Sequence, residues 1–348
     1  MKFLRLAFYV LVAQLVLSGC AGEGVEETSS SSSSEINFDA YVGRNASTRS
    51  DVTDIDFLKG NAFNAGFGVF ARYNYNGKIL SLLDTEHVTW NKDQNHWKYT
   101  NTRFWPSEGS VDFYAFAPYS DQPKMENFEI VFPANMSPVD LVYAKAEGKT
   151  KADNPVKFTF KHALARLSFE ITANQKLEEN GAVIRVKEVK LYGDKETSGI
   201  FLMQGNLNLK TGGWWPYDNG TRWFYTWTPD GKVEGRDDTL EEQQKKGPIY
   251  KLSAPPQLDH EHDKVTNHDD SYIFIIPQRK PDYFNLKITY TVEQGKFKED
   301  VTVYKDLLKV LPGDSDPYFE GGKAYVFHLI LSLDPVDFSV TAKVNDWK

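Results

Sequence analysis

The chemistry available to this chain begins with a single thiol. Cys20 is the only cysteine in 348 residues, so no internal disulfide can form and the thiol is left for packing, reaction or attachment of another group. Histidines gather in LDHEHDKVTNHDD, where His260, His262 and His268 stand among Asp259, Asp263, Asp269 and Asp270. Two histidines at i and i+2 of a strand share a face and suit zinc. No second cluster with ligand spacing accompanies them, and the segment is as polar as a solvated loop; no metal is expected. His162 lies between apolar residues with no nucleophile or carboxylate near it in sequence, and it reads as a hydrogen-bonded core histidine. There is no HExxH, no GxSxG and no P-loop. The expectation is a protein that is not an enzyme and carries no cofactor.

Aromatic residues offer another kind of chemistry. In GGWWPYDNGTRWFYTWTPDG, Trp214, Trp215, Trp223 and Trp227 fall close together. Flat aromatic faces stack on sugar rings, so an exposed set would make a glycan contact. The competing reading is a hairpin turning at Asp218-Asn219-Gly220, with Trp223, Tyr225 and Trp227 alternating along its second strand and filling a core.

The surroundings of Cys20 decide what its thiol is for. Lys2 and Arg5 precede an apolar run from Leu6 to Leu17, and Ser18-Gly19 supply small residues before the cysteine. This is the plan of a secretion signal, and the run is shorter than the roughly 20 apolar residues of a membrane span. Leu17-Ser18-Gly19-Cys20 resembles the bacterial lipobox, in which a diacylglycerol is joined to the thiol and the peptide bond before the cysteine is cut. Residues 1–19 are then the lipoprotein signal peptide. Residues 20–35, with Glu23, Glu26, Glu27 and the serines from Ser29 to Ser34, bury nothing and form a flexible tether. Acidic residues behind a lipidated cysteine also resemble the surface-export signal of Bacteroidetes lipoproteins.

The chain beyond position 35 is long enough for two ordinary domains. With 41 % hydrophobic and 14 % aromatic residues it has material for real cores. A net charge of −8 argues against nucleic acid and anionic membrane surfaces as partners.

The elements that position these residues read as strands. Alternation with period two places Phe67, Val69, Ala71 and Tyr73 on one face, and likewise Val111, Phe113, Ala115 and Ala117, then Phe128, Ile130 and Phe132. Leu286 to Val292, Tyr325 to Leu331 and Phe338 to Val344 behave the same way. Many short antiparallel strands with frequent turns predict an all-β architecture of sandwiches or barrels. In VKFTFKHALARLSFEIT the large apolar residues occupy even positions at Phe158, Phe160 and Leu164, then odd positions at Leu167, Phe169 and Ile171. A change of parity needs a bulge, a bend or a new strand, so one sandwich is expected to span 36–159 and a second 160–348. The polar stretch from Gly231 to Asp270 is expected to be a long loop.

The order of parts resembles the Bacteroidetes fimbrillin family, the type V pilus subunits and their fimbrillin-like relatives. The resemblance runs through the lipobox, the first strand INFDAYVGRNASTRSD, Trp105-Pro106 followed by VDFYAFAP, Asp140-Leu141 followed by Val142-Tyr143-Ala144, FTFKHALARLSFEI, and Trp347 behind the terminal strand. It implies two transthyretin-like β-sandwiches in tandem, exported as a lipoprotein to the outer membrane and cell surface. It also implies cleavage by an arginine-specific protease after the first strand, at Arg49, with Arg44 a nearby competitor. Loss of that strand would open a groove for a strand donated by another pilus subunit. If FSVTAKVNDWK is bound into its own sandwich, the resemblance points to a tip or accessory subunit; if Arg49 is never cut, to an anchor. A fimbrial subunit or surface adhesin with a host or bacterial surface ligand is the leading expectation. The alternative is a surface glycan-binding lipoprotein that uses Trp214, Trp215, Trp223 and Trp227.

Overall fold

Alternating apolar residues need a sheet face to bury them, and in the computed structural model nearly every such run is a strand. The structure describes residues 34–42, 53–121, 123, 125–126, 129–132, 140–173, 182–202, 204–216, 222–228, 231–236, 251–252, 273–311, 318–335 and 338–347. The first strands are β1 (Phe38–Val42), β2 (Phe67–Tyr75), β3 (Lys78–Asn91), β4 (His96–Lys98), β5 (Ser110–Ala117), β6 (Met125–Glu126), β7 (Glu129–Phe132), β8 (Val142–Lys149) and β9 (Val156–His162). There follow β10 (Ala165–Ala173), β11 (Val183–Tyr192), β12 (Gly205–Asn208), β13 (Trp214–Pro216), β14 (Trp223–Thr228), β15 (Gly231–Arg236) and β16 (Lys251–Leu252). The last are β17 (Ile273–Ile275), β18 (Gln278–Arg279), β19 (Asn285–Gln294), β20 (Phe297–Asp306), β21 (Tyr318–Phe319), β22 (Lys323–Leu331) and β23 (Ser339–Asp346). Among the described residues one short α-helix, α1 (Ile55–Leu58), is capped by the Asp54 carboxylate, which accepts from Phe57 N at 2.7 Å.

A seven-stranded sheet in the order β1-β9-β8-β5-β2-β3-β4 curls around an N-terminal core that includes Phe38, Phe67, Phe113, Phe158 and Phe160. A C-terminal core lies between a four-stranded sheet, β17-β10-β22-β23, and a six-stranded sheet, β16-β15-β14-β11-β19-β20. Phe169, Phe284, Phe327 and Tyr290 fill it, and the Tyr290 hydroxyl donates to the Ser332 carbonyl. Residues 36–348 close into one compact unit, because a third cluster joins the two cores. There Phe70, Tyr114 and Phe116, from the outer face of the seven-stranded sheet, meet Leu207, Phe274, Ile276 and Trp347.

The structure departs from the sequence reading in four ways. Two pairings are parallel, β1 with β9 and β10 with β22; these partners are far apart in sequence, so no hairpin sets their direction. An antiparallel sheet, β13-β12-β7-β6, brings residues 129–132 against 205–208 and ties the two halves together. Gly231–Arg236, expected to open a polar loop, is instead β15 and pairs along the whole of β14. The expected hairpin at Asp218-Asn219-Gly220 does not form, since β13 pairs with β12 while β14 pairs with β11 and β15.

Burial follows the parity switch. β9 alternates with Val156, Phe158, Phe160 and His162 inward, whereas Ala165, Leu167, Phe169 and Ile171 of β10 fill the other core. Between them Ala163 and Leu164 are both buried in the joining cluster. Phe158 packs 5.8 Å from the rings of both Phe38 and Phe67 and 6.0 Å from Phe160. Phe158→Ala leaves a cavity at that meeting point, with an expected loss of about 3–5 kcal/mol, read as a lowered urea midpoint; an unchanged midpoint would contradict the packing described.

Candidate functional site

The first strand fills a groove more than it completes a sheet. β1 lies at the edge of the seven-stranded sheet and has β9 as its ladder partner, in register from Phe38↔Val156 to Val42↔Phe160. Ile36, Phe38 and Val42 are buried, and Ala40 packs against the same core. Phe38 reaches the centre, with its ring 5.3 to 6.4 Å from those of Tyr99, Phe113, Phe158 and Phe67. Burial of each such side chain is worth about 1.5–3 kcal/mol, so emptying this groove exposes a continuous apolar trough. Hydrogen bonds fix the entry of the strand: Ile36 N donates to Arg103 O at 2.8 Å, the Tyr99 hydroxyl to Ile36 O at 2.8 Å, and Asn37 N to Asn154 Oδ1 at 2.8 Å.

A second cluster holds the chain where it resumes at Thr53. Thr53 is buried; its N–H donates to Asp140 Oδ2 at 2.8 Å and its hydroxyl to Asp140 O at 2.5 Å. The other carboxylate oxygen lies 2.9 Å from His162 Nδ1. Burial, the largest influence, pushes the Asp140 carboxyl above the usual carboxylate range, against the opposing pull of His162, Thr53 and Arg166. His162 stacks on Trp347 with ring centroids 3.8 Å apart, and Phe274 stacks on the same indole at 5.4 Å. Arg166 sits over the Trp347 ring at 5.0 Å, a cation–π contact. Trp347 is 6 % exposed, and its backbone N–H donates to Gly322 O at 2.7 Å. Just before it, β23 pairs antiparallel with β22 from Lys323↔Asp346 to Ile330↔Ser339. Residues 338–347 of the stretch FSVTAKVNDWK are therefore bound into their own fold.

Among the described residues no group of three or more His, Cys, Asp or Glu side chains is placed to hold a metal ion. Asp140 is the residue that sequence reasoning missed. It stands 22 positions before His162, too far for local spacing to connect them, although Asp140-Leu141 was already a recognisable motif. Cys20, Arg44, Arg49, His260, His262 and His268 lie outside the described residues. Of the tryptophans, Trp214 is half-buried and donates from Nε1 to Ala163 O at 2.7 Å, whereas Trp215 is 63 % exposed. Trp223 and Trp227 stand on β14, two positions either side of the fully buried Tyr225; their side chains lie outside what the structure describes.

The Fimbrillin-like family profile matches residues 48–347. The chain belongs to this family. A fimbrial protein from Bacteroides vulgatus ATCC 8482 is similar in structure, with a TM-score of 0.58 at 18 % identity over 90 % of this chain and 99 % of that one. A candidate cell adhesion protein from Bacteroides uniformis ATCC 8492 has a TM-score of 0.50 at 17 % identity, over 90 % and 98 %. At such identities the likeness is one of fold, here the all-β arrangement of several sheets. A comparison with curated proteins finds no match. In this fimbrillin-like chain the motifs at Asp140-Leu141, His162 and Trp347 are the parts of one buried node.

Removing Asp140 from that node leaves the Thr53 N–H and the His162 Nδ1 without their partner. Asp140→Ala is expected to cost about 3–5 kcal/mol, read as a lower melting temperature with faster proteolysis near Thr53; a variant as stable as the parent would show that the node holds nothing.

Proposed function

We propose that this chain is a fimbrial subunit, exported as a lipoprotein through Cys20, that accepts a strand from another subunit after cleavage at Arg49. The observation that carries this reading is the way β1 is held. Its side chains fill the N-terminal core, yet its ladder rests on β9 alone, so it can be exchanged for a strand with matching side chains without rebuilding the sheet. Arg49 falls between two anchored points, the buried Val42 at the end of β1 and the buried Thr53 on Asp140. A cut between them severs β1 and leaves the new chain start pinned by the Asp140 node.

The C-terminal strand favours a tip or accessory position over the stalk. Donating β23 would unpair it from β22 and pull Trp347 off its stacking partners His162 and Phe274. A subunit built this way accepts a strand and donates none. Its place is the fimbrium at the cell surface, tethered to the outer membrane until the tether is cut, with other pilus subunits as partners and a surface ligand at the tip.

Treatment of the purified precursor with an arginine-specific protease tests this. Cleavage after Arg49, absent in Arg49→Ala, should expose the groove to a hydrophobic dye. A synthetic EINFDAYVG peptide should then bind and displace the dye, with affinity reduced at least tenfold when its Phe38 is replaced by Ala. Failure of the cut protein to take up the peptide overturns strand acceptance. Detergent-resistant ladders formed by this protein alone overturn the tip reading.

A further inference from the structure

A cavity of about 960 Å³ opens where the joining cluster meets the C-terminal core, within the size range of small-ligand sites. Its walls come from the turn between β9 and β10, the segment after β11, the β12–β13 connection, and the chain around β18 and β21. We propose that this cavity is a binding site for a neutral oligosaccharide.

Three observations lead there. The first is the aromatic lining: Trp214, Tyr283 and Tyr318 all line the cavity. Tyr283 is 60 % and Tyr318 52 % exposed, although large aromatic side chains are ordinarily drawn into cores or interfaces. Rings displayed at a concavity offer the flat apolar faces on which the C–H faces of sugars stack. The second is charge. Arg222, Arg279 and Lys280 are matched by Asp194, Asp282 and Glu320, so the cavity carries donors and acceptors in quantity and no excess of either sign. That balance disfavours phosphates, nucleotides and polyanions, which call for clustered cations, and it suits a ligand made of hydroxyl groups that both donate and accept.

The third is rigidity. Gln278 fastens two walls together: its Oε1 accepts from Leu202 N, and its Nε2 donates to Leu202 O and Ile276 O, each at 2.9 Å. Trp214 is fixed by its bond to Ala163 O. Gly212 adopts φ +77°, and a Cβ there would lie 1.8 Å from the Tyr143 hydroxyl, so only glycine lets these walls close as they do. Walls fixed before a ligand arrives lose little entropy on binding. Trp215, the most exposed of the described tryptophans, does not line the cavity. The site therefore differs from the four-tryptophan platform suggested by spacing alone.

The probe is a panel of neutral oligosaccharides of two to four units (galactose-, mannose-, glucose-, fucose- and N-acetylhexosamine-based), with sialyllactose and a heparin disaccharide as anionic counterparts. Binding to the purified protein is read by calorimetry and saturation-transfer NMR. The expected result is submillimolar binding of at least one neutral member, weakened roughly tenfold or more in the doubly substituted Tyr283→Ala, Tyr318→Ala protein and unchanged in Trp215→Ala. Both tyrosines are exposed, and an unaltered melting curve confirms that the double variant is folded. No binding across the neutral panel, binding of the anionic members alone, or binding lost in Trp215→Ala and kept in the double variant each overturns the proposal. The assay uses the uncut protein and does not touch Arg49 or β1, so ligand binding and strand acceptance can fail separately.

Discussion

Side chains on a β-strand point to opposite faces in strict alternation, so a chain that must serve two cores in succession has to break that alternation somewhere. Here the break falls between His162 and Ala165, and much of the molecule is fastened to it. Ala163 N donates to Leu141 O at 2.7 Å, Ala163 O accepts from Trp214 Nε1 at 2.7 Å, and Leu164 O accepts from Gly322 N at 2.9 Å. Gly322, at φ +72°, also accepts the Trp347 N–H. One short crossover thereby ties the two cores, the joining four-stranded sheet and the terminal strand into a single unit.

The two ends of the folded body differ in how each is held beside this crossover. β1 runs up to the start of the crossover, with Val42 paired to Phe160, but it does not enter the node; it fills a groove by shape and apolar contact, with hydrogen-bonded partners on β9 and near Tyr99 and Arg103. β23 leads into that node, and the residue that follows the strand, Trp347, is stacked on both His162 and Phe274. An apolar fit along an edge can be met by another strand of similar pattern. A stacked indole set into a polar node of fixed geometry cannot be withdrawn without leaving buried groups unmatched. The same sheet chemistry thus yields one strand suited to exchange and one suited to stay.

Much of this was legible in the sequence. Alternation located β2, β5, β9, β10, β19, β22 and β23, because each has one clearly apolar face. The parity change at His162 marked the crossover for the same reason. Residues with a second buried face were harder to see: Phe70, Tyr114 and Phe116 lie on the side of β2 and β5 that period-two reasoning assigns to solvent, and they are buried because the C-terminal half covers that side. His162 was correctly read as a core histidine, while its carboxylate partner was invisible to local spacing.

By itself the sequence determined that the chain is an all-β fimbrillin-like protein and which residues of most strands face inward, since alternation and short motifs are local properties. It also placed Cys20 behind a signal-like run and Arg49 in a polar stretch, which depends on composition alone. Only the tertiary structure decided which strands pair, that β1 and β10 take parallel partners, and that residues 129–132 lie against 205–208. It alone brought Asp140 to His162 and Thr53, closed Trp347 into the junction and shaped the cavity beside Trp214. Pairing and convergence of this kind are contacts between distant positions, set by which faces must be buried together, and no window of neighbouring residues contains that information.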